Sequence, residues 1–288
     1  MAKQQPLPVT LLSSRRPPYF LPVRGGGGTA SVWKGALLWR KIVFCYTYGK
    51  YDAVAEAYMK TIGLIGGMSW ESTVTYYRII NETVKTRLGG LHSAKLLLYS
   101  VDFAELETCL QTGDWQTITE KLTEAALTLQ KGGADFILVG TNTMHKVVPH
   151  VQSRVAVPIV HIADATAEAI KVRNLTTAGL LGTRFTMSQD FIKTRIAQRG
   201  IGVVVPDGTD SAYIDRVIFD ELCRGVVSRQ SKNGYLAIID KLAAQGADCV
   251  ILGCTEIGLL VSQNDTSLPV FDTTLIHAEK AVELALET

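Results

Sequence analysis

The sequence predicts an α/β fold made of two pseudo-symmetric halves, each a mainly parallel four-stranded sheet flanked by helices, with a site in the cleft between them. Three observations carry that reading. Short apolar runs alternate with stretches of helical period from residue 59 onward, the pattern of strands joined by crossover helices. GGADFILVGTNTMH at 132–145 is echoed, 113 positions later, by QGADCVILGCTEIG at 245–258. IGLIGG at 62–67 is matched by AGLLGT at 178–183, at the similar offset of 116.

Residues 1–58 read differently from the rest and stay outside the predicted fold. They contain Pro17-Pro18, four consecutive glycines at 25–28 and no acidic residue before Asp52. Vector-derived sequence, a start assigned too early with Met59 as the natural beginning, or an acid-poor targeting peptide are the readings open for this segment. The first half is then expected over 59–165 and the second over 166–288, with the C-terminal helix able to pack back on the first.

Eight buried strands are expected, at 61–66, 94–101, 136–140, 157–162, 178–182, 202–205, 249–253 and 269–271. Their continuous apolar character is that of strands covered on both faces. Between the first two, Val74, Tyr77, Ile80, Val84 and Leu88 fall at helical spacing, and Ile118, Leu122, Ala125 and Leu129 do so before the third. In open parallel sheets ligands sit at the carboxyl ends of the strands, which places the site between the halves.

Composition narrows the function classes. An apolar fraction of 47% supplies ample core, and the net charge of +2 is uneven: residues 1–58 carry eight Lys or Arg against Asp52 and Glu56, leaving the remainder at −4. A mildly acidic body offers no basic footprint for nucleic acid. Residues 36–48, the most membrane-like run, are cut by Arg40 and Lys41, so no span is expected. Cysteines at 45, 109, 223, 249 and 254 show neither a disulfide framework nor metal-ligand spacing, which fits a reducing cytoplasm and no metal.

The two repeated strand ends carry the candidate chemistry. Cys254 aligns with Thr141, each just past a buried strand. A thiol before a helix N-terminus is expected to be pulled toward its reactive thiolate, whereas Cys45, Cys109, Cys223 and Cys249 read as packing residues. Asn142, Thr143 and Thr255 present amide and hydroxyl groups that suit a carboxylate, or cap the following helices. His145 is a base or a packed histidine. Gly63, Gly66 and Gly67 form a tight strand-to-helix turn or an anion cradle near Met68, with Ser69 or Ser72 as cap and Glu71 in the first turn.

IGLIGGMSWEST, RLGGLHSA, SVDF, TNTMHKV, HIADAT, LGTRFTM, GCTEIGLLV and LPVFDTTLIHA together resemble the aspartate/glutamate racemase family, within the wider Asp/Glu/hydantoin racemases, and come closest to its enterobacterial broad-specificity type. The resemblance covers residue 59 to the C terminus. It implies a cofactor-independent racemase of acidic amino acids, usually homodimeric, with one thiol per half flanking the substrate α-carbon. Cys254 matches the second thiol; the first is replaced by Thr141. The implied roles are Cys254 and Thr141 as the two proton handlers, with Cys254 facing the L-enantiomer. Met68, Asn142, Thr143, Thr183 and Thr255 are implied to bind the substrate, and Tyr213 stands where relatives carry a basic residue for the side-chain carboxylate. A one-cysteine decarboxylase-like enzyme and a weakly catalytic small-acid binding protein are the alternative readings.

Overall fold

The computed structural model describes residues 59–287; the expectations for residues 1–58, Cys45 included, lie outside them. The first sheet is built from β1 (Ile62–Gly66), β2 (Leu96–Ser100), β3 (Phe136–Val139) and β4 (Ile159–Val160), the second from β5 (Thr177–Gly182), β6 (Gly202–Val204), β7 (Cys249–Gly253) and β8 (Val270–Asp272). The strands run in the order β2-β1-β3-β4 and β6-β5-β7-β8, and every pairing is parallel. The same order in both sheets is the structural counterpart of the sequence echoes, and the predicted α/β class is the observed one.

Helices supply the crossovers. They are α1 (Trp70–Leu88), α2 (Phe103–Thr112), α3 (Trp115–Lys131), α4 (Val148–Gln152), α5 (Ile162–Val172), α6 (Arg184–Ser188), α7 (Asp190–Ala197), α8 (Gly208–Asp220), α9 (Arg229–Ala244) and α10 (Thr273–Leu286). Side-chain caps fix several of their starts: Ser69 accepts from the Ser72 amide at α1, Thr183 from Thr186 at α6, and Asp272 from Thr274 and Leu275 at α10.

Helices cover both faces of each sheet, so the inner strands are enclosed. Every residue of β1, β3 and β7 is buried, whereas the edge strands β2 and β6 are partly exposed. That enclosure is why the inner strands read as unbroken apolar runs. One core of the first half joins Ile65, Ile137 and Val139 to α3; the other joins Ile62, Leu64, Tyr76 and Ile80 to Ala278, Ala281, Val282 and Ala285 of α10. The last helix thus completes the core of the first half. Conversely, Ile162, Ala163, Ala167 and Ile170 of α5 pack on Leu180 and Ile251 of the second sheet.

The repeated Gly-Ala-Asp has a structural job in both copies. Gly133 and Gly246 adopt φ of 93° and 97°, a region that glycine enters without steric cost as it reverses the chain after α3 and α9. Each Asp then ties down the start of the neighbouring strand. Asp135 accepts the Thr61 amide at 2.6 Å; Asp248 accepts those of Thr176 and Thr177 at 2.7 and 3.1 Å.

The face of α1 differs from the one its periodicity predicts. Val74 and Tyr77 are exposed, and the buried line is Ser72, Thr73, Tyr76, Ile80 and Val84. Polar neighbours explain the rotation: the Tyr76 hydroxyl is 2.9 Å from His277 Nδ1 of α10, and Thr73 Oγ1 accepts the Gly67 amide at 2.8 Å. Apolar spacing alone does not register a buried tyrosine and threonine satisfied by polar partners outside the helix.

Candidate active site

The carboxyl ends of β1, β3, β5 and β7 open into a cleft of about 400 Å³ lined by both halves. Thr141 and Cys254 both border it, as do Met68, Asn142, Thr143, Thr183 and Thr255. Residues more than 180 positions apart in the chain therefore meet here, because each inner strand delivers its following loop to the same side.

Cys254 leaves β7 directly and is 9% exposed. Its thiol donates to Glu256 Oε2 at 3.0 Å, and the Thr255 hydroxyl donates to the same oxygen at 2.7 Å. The other carboxylate oxygen, Oε1, accepts the Ser69 hydroxyl at 3.0 Å. This environment reverses the expected thiolate. Burial pushes the Cys254 thiol well above its ordinary range, and the Glu256 carboxylate pushes it further. The segment after it is a three-residue 3₁₀ turn, Ile257–Leu259, so no helix dipole of useful length offsets those effects. The resting group is a thiol already hydrogen-bonded to a proton acceptor.

Thr141 occupies the matching position in the first half and is half-buried in the cleft wall. Its carbonyl is fixed by His145 Nδ1 at 2.7 Å. Since His145 Nε2 accepts the Ile162 amide at 3.1 Å, Nδ1 must carry the proton. Burial and the neighbouring rings of His161 and His277 push its pKa far down. His145 lies behind the cleft wall and is a buried, neutral positioning residue, the packed alternative of the two expected for it.

The loops also tie the halves together with a two-fold logic. Thr143 Oγ1 is 3.3 Å from Thr183 Oγ1 on the loop after β5, while Glu256, which aligns with Thr143, reaches Ser69 on the loop after β1. Asn142 caps no helix through its side chain; its Nδ2 donates to Thr273 Oγ1 at 3.0 Å, and Thr273 donates to the Leu252 carbonyl at 2.8 Å. Gly67, with φ of 89°, brings the chain so close to β2 that a Cβ would stand 2.2 Å from the Val101 oxygen. Gly66, the last residue of β1, and Gly67 therefore make the tight turn, whereas Gly63 lies within β1 against Ala134, and Met68 follows into the cleft.

Tyr213 is set apart from the cleft. Its ring lies against Gly234 and Tyr235, with Arg216 5.3 Å above it. Cys223, read from sequence as packing, borders the cleft from the Leu222–Arg224 turn; burial, with Glu256 and Glu71 nearby, pushes its thiol up to about 12. Cys223 carried no sequence signal, whereas Glu256 had one in its alignment with Thr143. A second cavity of about 690 Å³ runs along α1 and shares Glu256 with the cleft, so this carboxylate borders both spaces. Among the described residues no group of three His, Cys, Asp or Glu is arranged to hold a metal ion, and no helix is long and apolar enough to cross a membrane.

The Asp/Glu/Hydantoin racemase family model matches residues 65–281. A Yersinia pestis protein described as a candidate Asp/Glu racemase is 53% identical, with a TM-score of 0.76 over 80% of this chain and 100% of that one. An aspartate racemase homologue from Pyrococcus horikoshii is 38% identical, with a TM-score of 0.71 over 80% and 100%. A broad-specificity amino-acid racemase of Bacillus subtilis is 23% identical over 78% of this chain and 98% of its own. The chain therefore belongs to the Asp/Glu/Hydantoin racemase family and is an isomerase of the amino-acid racemase type.

Proposed function

We propose that the protein racemises a free amino acid, taking the L-form in preference, by moving a proton between Cys254 on one side of the α-carbon and Thr141 on the other. The observation that carries this reading is the buried thiol of Cys254 facing Glu256 across the cleft from a hydroxyl at the equivalent strand end. Substrate binding brings an ammonium group into a cleft whose described lining holds carboxylates. That positive charge stabilises the thiolate as the thiol proton passes to Glu256 along their hydrogen bond. The thiolate then removes the α-hydrogen. Neutral donors among Asn142, Thr143 and Thr183, with the first-turn amides of α1 beyond Met68, hold the α-carboxylate as negative charge builds on it, and Thr255 joins them once its hydroxyl leaves Glu256.

Thr141 gives its proton to the opposite face while taking one from water in the cleft. The hydroxide so formed is neutralised by the proton held on Glu256, which returns every group to its starting state. No redox partner or cofactor is needed. A hydroxyl is a far weaker acid than a thiol, and its conjugate base is scarce near neutral pH. Thr141 is therefore the donor and Cys254 the acceptor in the favoured direction, which matches the L-preference implied by the resemblance.

The resemblance and the names of the relatives suggest aspartate and glutamate as substrates. A homodimer in the cytoplasm is the assembly and location that go with this proposal. Chiral chromatography of L-amino acids incubated with the protein tests the reaction: the D-form should accumulate with the native chain and fall by at least about a thousandfold with Cys254→Ala, the size expected for loss of a catalytic proton acceptor. Undiminished racemisation by Cys254→Ala would refute the assignment.

A further inference from the structure

We propose that a further small-molecule site lies behind the cleft wall, in a cavity of about 330 Å³ between the halves, and that it takes a phosphate group. Three pieces of chain enclose it. His145 and Lys146 come from the Thr143–Lys146 turn, His161 from the cap of α5, and Asp190 and Arg195 from α7. No residue lines both this cavity and the cleft, so the two are separate spaces.

His161 supplies the first argument. Its side chain is only 4% exposed, yet it borders the cavity. Nδ1 accepts the Ala163 amide at 3.2 Å, so in the neutral ring Nε2 carries the proton. Burial, and then the charge of Arg195, hold the pKa down at about 3, so the ring is neutral at physiological pH. Among the described residues no side chain or carbonyl accepts from Nε2; the ring meets His145 edge-on, with centroids 4.5 Å apart. The side-chain atoms sealed from solvent without a partner reduce, among the described residues, to Thr274 Oγ1, so Nε2 opens onto the cavity. An almost buried N–H without an acceptor is costly to keep, and an oxygen placed in the cavity satisfies it.

Charge supplies the second argument. Arg195 commits Nε and Nη2 to Asp164 Oδ2, at 2.9 and 2.7 Å, which leaves Nη1 for a ligand. Lys146 rests 3.7 Å over the Trp115 ring, a contact that leaves ammonium hydrogens free to donate. Asp190 is answered by Lys193, and Asp164 by Arg195 and Arg199. Four cations, Lys146 included, thus stand against two carboxylates, an excess of two positive charges. A phosphate monoester carries about −1.5 to −2 near pH 7, and Arg, Lys and neutral N–H groups are the donors that suit it. His145, in the same wall, also holds the Thr141 carbonyl through Nδ1, so an occupant sits one ring behind the cleft.

Calorimetric titration of the full chain tests the site, with inorganic phosphate and glycerol phosphate as probes, at an ionic strength of about 0.15 M where exposed charges are largely screened. One saturable site is expected, with a dissociation constant in the millimolar range or tighter. Lys146→Gln should weaken it by about tenfold, whereas Lys131→Gln, exposed at the end of α3 and outside the lining, should leave it within about twofold. In 15N-labelled protein the ring signals of His161 should move as the site fills. Tighter binding of the ester assigns the cavity to a phosphorylated small molecule; otherwise it belongs to free phosphate. Absence of saturable binding up to roughly 10 mM of either probe, binding that survives Lys146→Gln unchanged, or binding that leaves the His161 signals unmoved overturns the inference.

Discussion

Two side chains two residues apart carry the proposed chemistry. Cys254 is held as a thiol by burial and by the carboxylate of Glu256, and in the proposed mechanism the same carboxylate accepts its proton. Glu256→Gln removes the like charge, so the thiol pKa should fall and alkylation of Cys254 by iodoacetamide should reach half-maximum about one pH unit lower. Racemisation should nevertheless slow by about a hundredfold, because the proton acceptor is gone. A thiol that titrates unchanged in this variant would contradict the account. The placing of Cys254 and Thr141 at matching strand ends was legible, since a repeat shows where two positions correspond, and both border the cleft. The thiol's protonation state was not, because burial and the reach of Glu256 arise only when the loop after β7 folds back. Tyr213 likewise had a legible position along the chain but no legible direction for its ring.

At the scale of elements, the strands were the most legible part, since enclosure on both faces writes an apolar run into the sequence. Their connections carry the less visible constraints. The turn between β1 and α1 allows no side chain at Gly67, where positive φ coincides with the contact on Val101. Gly67→Ala should therefore cost roughly 2–4 kcal/mol in urea unfolding and shift Met68 and Ser69 in the cleft wall. A variant as stable as the native chain would show that the turn is not strained in this way. The face of α1 was misread for a related reason: Tyr76 and Thr73 are buried because α10 and the glycine turn supply partners, and those partners lie 201 and 6 residues away.

For the molecule as a whole, the exchange of helices binds the halves. α10 fills the first core and α5 the second, and three buried histidines sit at this seam. His277 Nε2 donates to the Val160 carbonyl at 2.9 Å, and burial lowers its pKa to about 4. His161 is lowered to about 3 by burial and then by Arg195 and His277. Histidines whose folded pKa lies below the unfolded value of about 6.5 bind more protons when the chain unfolds. Stability is therefore full above about pH 6.5 and declines as the pH falls toward 4. Urea unfolding at about pH 5 should show roughly 4 kcal/mol less stability than at neutral pH; a flat profile would mean that these rings titrate normally in the folded state. The duplication aligns Thr141 with Cys254, and both border the cleft, so the proposed proton handlers are a hydroxyl and a thiol. That asymmetry is tested most directly in deuterium oxide, with an L-amino acid the protein turns over and with the reaction stopped early. The account predicts deuterium at the α-carbon of the D-product, delivered by Thr141, with almost none in the recovered L-substrate. Deuterium appearing equally in both enantiomers, or D-product formed without it, would contradict proton transfer between two different groups on opposite faces.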